Sequence, residues 1–158
     1  MKTIVILGSG ARECAILMKL KVSQLSNEYE FTTIGLNENP YMIQNSKFIK
    51  VNNYELNELK NLNIFALPCL IEAVIIGPEL PIVNGITNYL DKLDVFVFAP
   101  TTQNAIIESS KIFSRNLIEY DLDNKYNPKY KVLRNILKDN INTETLINTI
   151  QETKKEFN

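Results

Sequence analysis

Thr3-Ile4-Val5-Ile6-Leu7-Gly8-Ser9-Gly10 decides the fold. The β-branched and aliphatic run has no charged break, which is the pattern of a strand buried on both faces. It stops at a glycine pair, and the period then changes. Cys14, Leu17, Met18, Lys21 and Leu25 fall at helical spacing, apolar at all but one place, so a helix is predicted over residues 11–25. Strand, glycine turn and helix form the opening unit of a parallel sheet, because a parallel strand is rejoined only through a crossover.

The same alternation continues outward. A second strand is predicted over 31–35, running into Leu36-Asn37-Glu38-Asn39-Pro40, and a short third over 48–51. Residues 54–62 read as a helix, and 64–70 are apolar but broken by Pro68. Residues 73–76 are the clearest central strand. They enter Gly77-Pro78-Glu79, after which Ile82, Val83, Ile86 and Leu90 mark one face of a helix. Residues 95–98 repeat the strand pattern and end in Ala99-Pro100-Thr101. A long helix is predicted over 102–120 with Ile106, Ser109, Phe113, Leu117 and Tyr120 inward, followed by a polar linker, a short strand over 130–133 and a helix over 143–155. The expectation is an α/β fold, an open doubly wound and mostly parallel sheet with a short strand-helix tail. Its first domain spans 1–120, and 121–158 are a linker and the start of a further segment.

The 158 residues suit one ordinary domain, and 45% hydrophobic residues supply a core. A net charge of -1 lacks the basic footprint of a protein that neutralises nucleic-acid backbones or anionic membranes. No stretch of about 20 apolar residues is present to span a bilayer. The two cysteines, Cys14 and Cys69, stand apart without metal-ligand or disulfide spacing, and a reduced cytoplasmic setting is expected. With no histidine in the chain, histidine general-base chemistry and histidine-ligated metals are excluded.

Ligands of open parallel sheets bind beyond the carboxyl ends of the strands, where the loops starting at Gly8, Gly35, Gly77 and Ala99 all emerge. Gly8-Ser9-Gly10 brings backbone close to an anion at a helix N-terminus, with the Arg12 guanidinium beside it, so phosphate is the natural guest. The alternative is a tight turn that needs its glycines for backbone reasons, with Arg12 merely solvated. A dinucleotide site is disfavoured. Glu13 stands where the third glycine of G-x-G-x-x-G would be, and Glu38 comes too late to close the second strand as the ribose-binding acid. Glu79 is placed to accept from ligand hydroxyls or an amine, or else is a first-turn glutamate favoured by the helix dipole.

Residues 4–13, Ile-Val-Ile-Leu-Gly-Ser-Gly-Ala-Arg-Glu, resemble the opening VLVIGSGGREH of phosphoribosylamine-glycine ligases. Residues 74–86 are similar to that family's VVGPEAPLVAGI, and Phe98-Ala99-Pro100-Thr101 with Glu108-Ser109-Ser110-Lys111-Ile112-Phe113 to its FGPT and LEGSKAF. The resemblance extends to about residue 131. It implies the substrate-side domain that precedes an ATP-grasp module in purine synthesis, where ATP activates glycine as an acyl phosphate for attack by phosphoribosylamine. By the same resemblance Gly8, Ser9, Gly10, Arg12 and Glu13 line the phosphate side of phosphoribosylamine or glycinamide ribonucleotide. Gly77, Pro78 and Glu79 line the ribose or amine side.

Lys111 matches a lysine that reaches the nucleotide in related enzymes. The competing reading sets it with Glu108, Arg115 and Glu119 on one solvated helical face. Ala11, Cys14 and Ser109 depart from the family pattern, Cys14 reads as a small buried hydrophobe, and Gly35-Leu36-Asn37-Glu38-Asn39 keeps the outline of a PGNxG loop. The expected partner is an ATP-grasp domain in cis or in trans, which would bring ATP and magnesium. These 158 residues hold no catalytic set and are expected to be inactive alone. The alternative is a shortened paralogue acting as a non-catalytic ligand-binding or interaction module.

Overall fold

The computed structural model describes residues 1–24, 26–121, 125–130 and 143–157. Five parallel strands form one sheet in the order β3-β2-β1-β4-β5: β1 (Lys2–Leu7), β2 (Tyr29–Gly35), β3 (Lys47–Lys50), β4 (Ile71–Ile76) and β5 (Val97–Phe98). The α/β doubly wound fold expected from the sequence is the one observed. Alternation along β1 shows why its run had to be apolar throughout. Val5 and Leu7 join one core with Ile34, Val74 and Ile76, whereas Ile6 turns to the other face against Leu17, Phe31 and Met42.

Helix α1 (Ala11–Lys21) begins where extended Gly10 caps it, and it ends with Lys19 and Lys21 in the last turn, where cations oppose the dipole. It is shorter than the predicted 11–25. Ser23 and Ser26 fold the chain into successive turns, and Leu25 lies outside the described residues. Fully buried Leu17 anchors α1 to the sheet, a position where truncation to alanine typically costs about 2–5 kcal/mol. Helix α2 (Pro40–Asn45) has proline in its first turn, and the Asn39 side chain accepts from the Tyr41 and Met42 amides. Helix α3 (Leu56–Lys60) is shorter than predicted, and residues 64–70 are mostly single 3₁₀ turns, Asn63–Ala66 and Pro68–Leu70.

Two long helices predicted from periodicity are each broken. Helices α4 (Glu79–Val83) and α5 (Ile86–Asp91) meet at Gly85, whose φ of 96° only glycine adopts without strain. Ile82, Ile86 and Leu90 stay buried across the break, but Val83 is exposed. The predicted helix over 102–120 is instead a turn, α6 (Ile106–Ser109) and α7 (Lys111–Asp121). Thr102 Oγ1 donates to the Ile82 carbonyl at 2.9 Å and holds the turn, while Ser110 Oγ accepts from the Phe113 amide and restarts the helix. The inward stripe expected of it is not formed: Ile106, Ser109, Phe113, Leu117 and Tyr120 are exposed, Tyr120 at 87%, and Ala105 is the buried residue.

The chain divides at this break into two compact units, Met1–Ser109 and Ser110–Asn158. Within the second, Arg115 and Asn127 exchange two hydrogen bonds, and Tyr130 donates to Asn116 Oδ1. Tyr130 itself lies in irregular chain, and the rest of the strand predicted over 130–133 lies outside the described residues. Helix α8 (Thr143–Phe157) matches the last predicted helix. Among the described residues no helix is long and apolar enough to cross a membrane.

Candidate functional site

The sheet order places its reversal between β1 and β4. Leu7 pairs with Ile34 on one side and with Ile76 on the other, so the chain leaves β1, β2 and β4 at one level, as Gly8, Gly35 and Gly77. Loops diverge at such a reversal and leave a crevice. The Gly8 amide donates to the Ile34 carbonyl and the Gly77 amide to the Leu7 carbonyl, which ties each loop to its neighbour strand before it turns outward.

Glu13 lies between the two central loops. Its side chain is 6% exposed, Oε2 accepts from the Gly10 amide at 2.7 Å, and Oε1 has no hydrogen-bond partner among the described residues. Glycine at this third fingerprint position allows close packing of helix on strand, and a side chain as large as glutamate crowds it. The structure absorbs it because the residues opposite have no side chains. A methyl group on Gly77 would run into the Glu13 carboxylate, and one on Gly8 would lie 2.7 Å from Pro78 Cδ and 2.8 Å from Glu13 Cγ. Gly8 also holds a φ of 118°, a conformation that strains any other residue.

The third loop completes the floor. Gly35 packs against the Ser9 side chain, and Asn39 Nδ2 donates to the Ser9 carbonyl at 3.3 Å. Buried Tyr54 has its phenol pushed above the ordinary 10.0 chiefly by burial, with the backbone of Leu36 opposing and the Glu13 charge adding to the rise.

At the rim Arg12 is 67% exposed, with Nη2 3.8 Å from Glu79 Oε1 and Nε 3.9 Å from Glu13 Oε1. Glu79 and Glu108 share a cavity of about 510 Å³ with Leu80, Val83 and Ser109. The two carboxyls titrate as a pair. Glu79 is held below the usual range, first by its own backbone amide, then by the hydrogen bond from Glu108 and the charge of Arg12. Glu108 is raised by that same hydrogen bond and by the Glu79 charge, so it is the partner that keeps the proton.

Gly8, Ser9, Gly10, Arg12, Glu13, Gly77, Pro78 and Glu79 thus converge on one edge, although Glu13 turns its carboxylate inward. Lys111 opens α7 as an exposed residue of the second unit. It does not share one helix with Glu108, because the chain breaks between them at Ser110. Sequence reasoning missed Glu108 and Tyr54 as neighbours of the site. It also missed the Asn39 contact, whose only local signal is an Asn-Pro pair at a helix start. Among the described residues no three of histidine, cysteine, aspartate and glutamate gather to hold a metal ion.

Two outcomes follow from this geometry. Gly77→Ala loses about 1–3 kcal/mol of stability by overpacking, and in Glu13→Ala the same change costs markedly less, a coupling read by urea denaturation of both singles and the double variant. Because the pKa of Glu108 is raised on folding, its charged form weakens the fold above that pKa and its neutral form does not. Glu108→Gln therefore raises the thermal midpoint at pH 7, and the gain fades as pH falls below the ordinary 4.5. A gain that grows in acid contradicts this assignment.

Comparison with known proteins agrees with the geometry. The phosphoribosylglycinamide synthetase N-domain family matches residues 2–108, which is the first compact unit less one residue at each end. The phosphoribosylamine-glycine ligase of Methanococcus vannielii is 35% identical over 126 residues, 80% of this chain and 26% of that protein. The same-named ligase of Caldanaerobacter subterraneus is 30% identical over 115 residues, 73% of this chain and 26% of its own length. The trifunctional purine biosynthetic protein adenosine-3 of Chironomus tentans is 35% identical over 122 residues, 74% of this chain and 8% of that protein. The chain spans about a quarter of the ligases it matches. With two thirds of its residues inside the matched domain and the switch-point loops built from the matched stretch, this chain belongs to the phosphoribosylglycinamide synthetase N-domain family.

Proposed function

We propose that these residues form the substrate-side domain of a phosphoribosylamine-glycine ligase, acting in purine biosynthesis in the cytoplasm, and that the β1–β4 crevice holds a phosphoribosyl amine. The convergence of a glycine turn, a helix N-terminus and Arg12 on one side with Glu79 and Glu108 on the other carries this reading. The first set supplies N–H donors and a guanidinium for phosphate oxygens. The second supplies carboxyl groups that accept from ribose hydroxyls or the amine. A ligand with phosphate at one end and donors at the other lies along that polarity.

The ATP-dependent step is assigned to an ATP-grasp module in cis or in trans, which brings ATP and magnesium, with Lys111 as the residue of this chain that approaches the nucleotide. Phe96 and Phe98 are exposed on the sheet face opposite α3 to α5, and exposed aromatic surface of this kind supports a covering partner. In this reading the chain's residues bind and orient the amine substrate and perform no phosphoryl transfer.

Calorimetry with glycinamide ribonucleotide tests the assignment. The chain is expected to bind with a Kd on the order of micromolar and to lose that binding in Arg12→Ala, while showing no ATP-dependent ligation by itself. Absence of heat at millimolar ligand would favour a non-catalytic interaction module instead, and turnover by the isolated chain would overturn the division of labour.

A further inference from the structure

We propose that Glu13 sets the selectivity of the crevice for one phosphate monoester over a diphosphate, by occupying from within the donor and the space that a second phosphate requires. The proposal rests on the reading that the Gly8–Gly10 turn holds phosphate.

Three observations carry it. The Gly10 amide is a donor at the N-terminus of α1, and Glu13 Oε2 already takes it at 2.7 Å. An incoming diphosphate thereby loses a backbone N–H that this kind of turn offers to its second phosphate. The other oxygen, Oε1, fills the interval beneath Gly77, where no hydrogen-bond partner meets it and where even a methyl group has no room. The space between the β1 and β4 loops is therefore closed by a carboxylate.

Charge along the rim acts in the same direction. Arg12 lies between Glu13 and Glu79, at 3.9 Å from one and 3.8 Å from the other, and Glu108 lines the same cavity as Glu79. A single phosphate meets Arg12 and the outer face of the turn. A second phosphate, on either side, meets a carboxylate and is repelled. The next group of an acceptable ligand has to be a donor, a hydroxyl or an amine.

Ribose 5-phosphate and inorganic pyrophosphate, titrated calorimetrically into the 158-residue chain at one ionic strength, test this. The wild-type chain is expected to prefer ribose 5-phosphate by at least about tenfold. Glu13→Ala opens the space and frees the Gly10 amide, and it is expected to raise pyrophosphate affinity about tenfold with a smaller change for ribose 5-phosphate. Glu13→Gln, which keeps the volume and removes the charge, is expected to raise it about threefold, and this variant alone decides if Glu13→Ala does not fold. Ribose 5-phosphate binding with an unchanged preference in the folded variants overturns the role of Glu13. Failure of the wild-type chain to bind ribose 5-phosphate overturns the phosphate reading beneath it.

Discussion

The crevice depends on one carboxylate held between two loops. Glu13 accepts from the Gly10 amide behind it and faces Gly77 across the sheet reversal, so the end of β1 and the end of β4 are spaced by its side chain. Burying a carboxylate is costly unless it is hydrogen-bonded, and here the positive end of α1, the Gly10 amide and nearby Arg12 offset that cost. Replacing the third glycine of a dinucleotide turn with glutamate would wedge helix from strand in isolation. Glycine across the crevice restores the fit, so residues 13 and 77 act as a pair that a local motif does not display.

Much of the fold was legible because the decisive signals were local. The continuous runs of β1 and β4 announce strands buried on both faces, and the glycine exits place their ends correctly. Helix α2 was not predicted, although Asn39-Pro40 begins it by side-chain capping. What was missed depends on single residues that interrupt a sound period. Ile82, Ile86 and Leu90 keep helical spacing through Gly85 and remain buried on both sides of a real break. The stripe from Ile106 to Tyr120 likewise passes through Ser110, whose hydroxyl caps a new helix. Periodicity reports which side chains can share a face, and it is blind to a turn that preserves the facing.

The candidate site was legible as a location and less so as a set of roles. Topology and the glycine loops put Gly8 to Glu13 and Gly77 to Glu79 on one edge. The inward turn of Glu13, the linked titration of Glu79 and Glu108, and the seat of Ser9 against Gly35 and Asn39 all arise from contacts between residues distant in sequence. In the proposed reading, the resulting polarity, donors at the α1 end and carboxyls at the α4 end, would give a phosphoribosyl amine a preferred direction. Family membership and physical reading meet at this point: the matched stretch is the compact unit that carries both ends of the crevice.

The central claim is that the β1–β4 reversal holds a phosphate monoester, and amide chemical-shift mapping tests it most directly. On titrating isotope-labelled chain with ribose 5-phosphate, the account predicts saturable shifts concentrated at Gly8, Ser9, Ala11, Arg12, Gly77 and Glu79. Shifts centred on the outer edge near Asp91 and Val97, or no saturable shift at millimolar ligand, would contradict it.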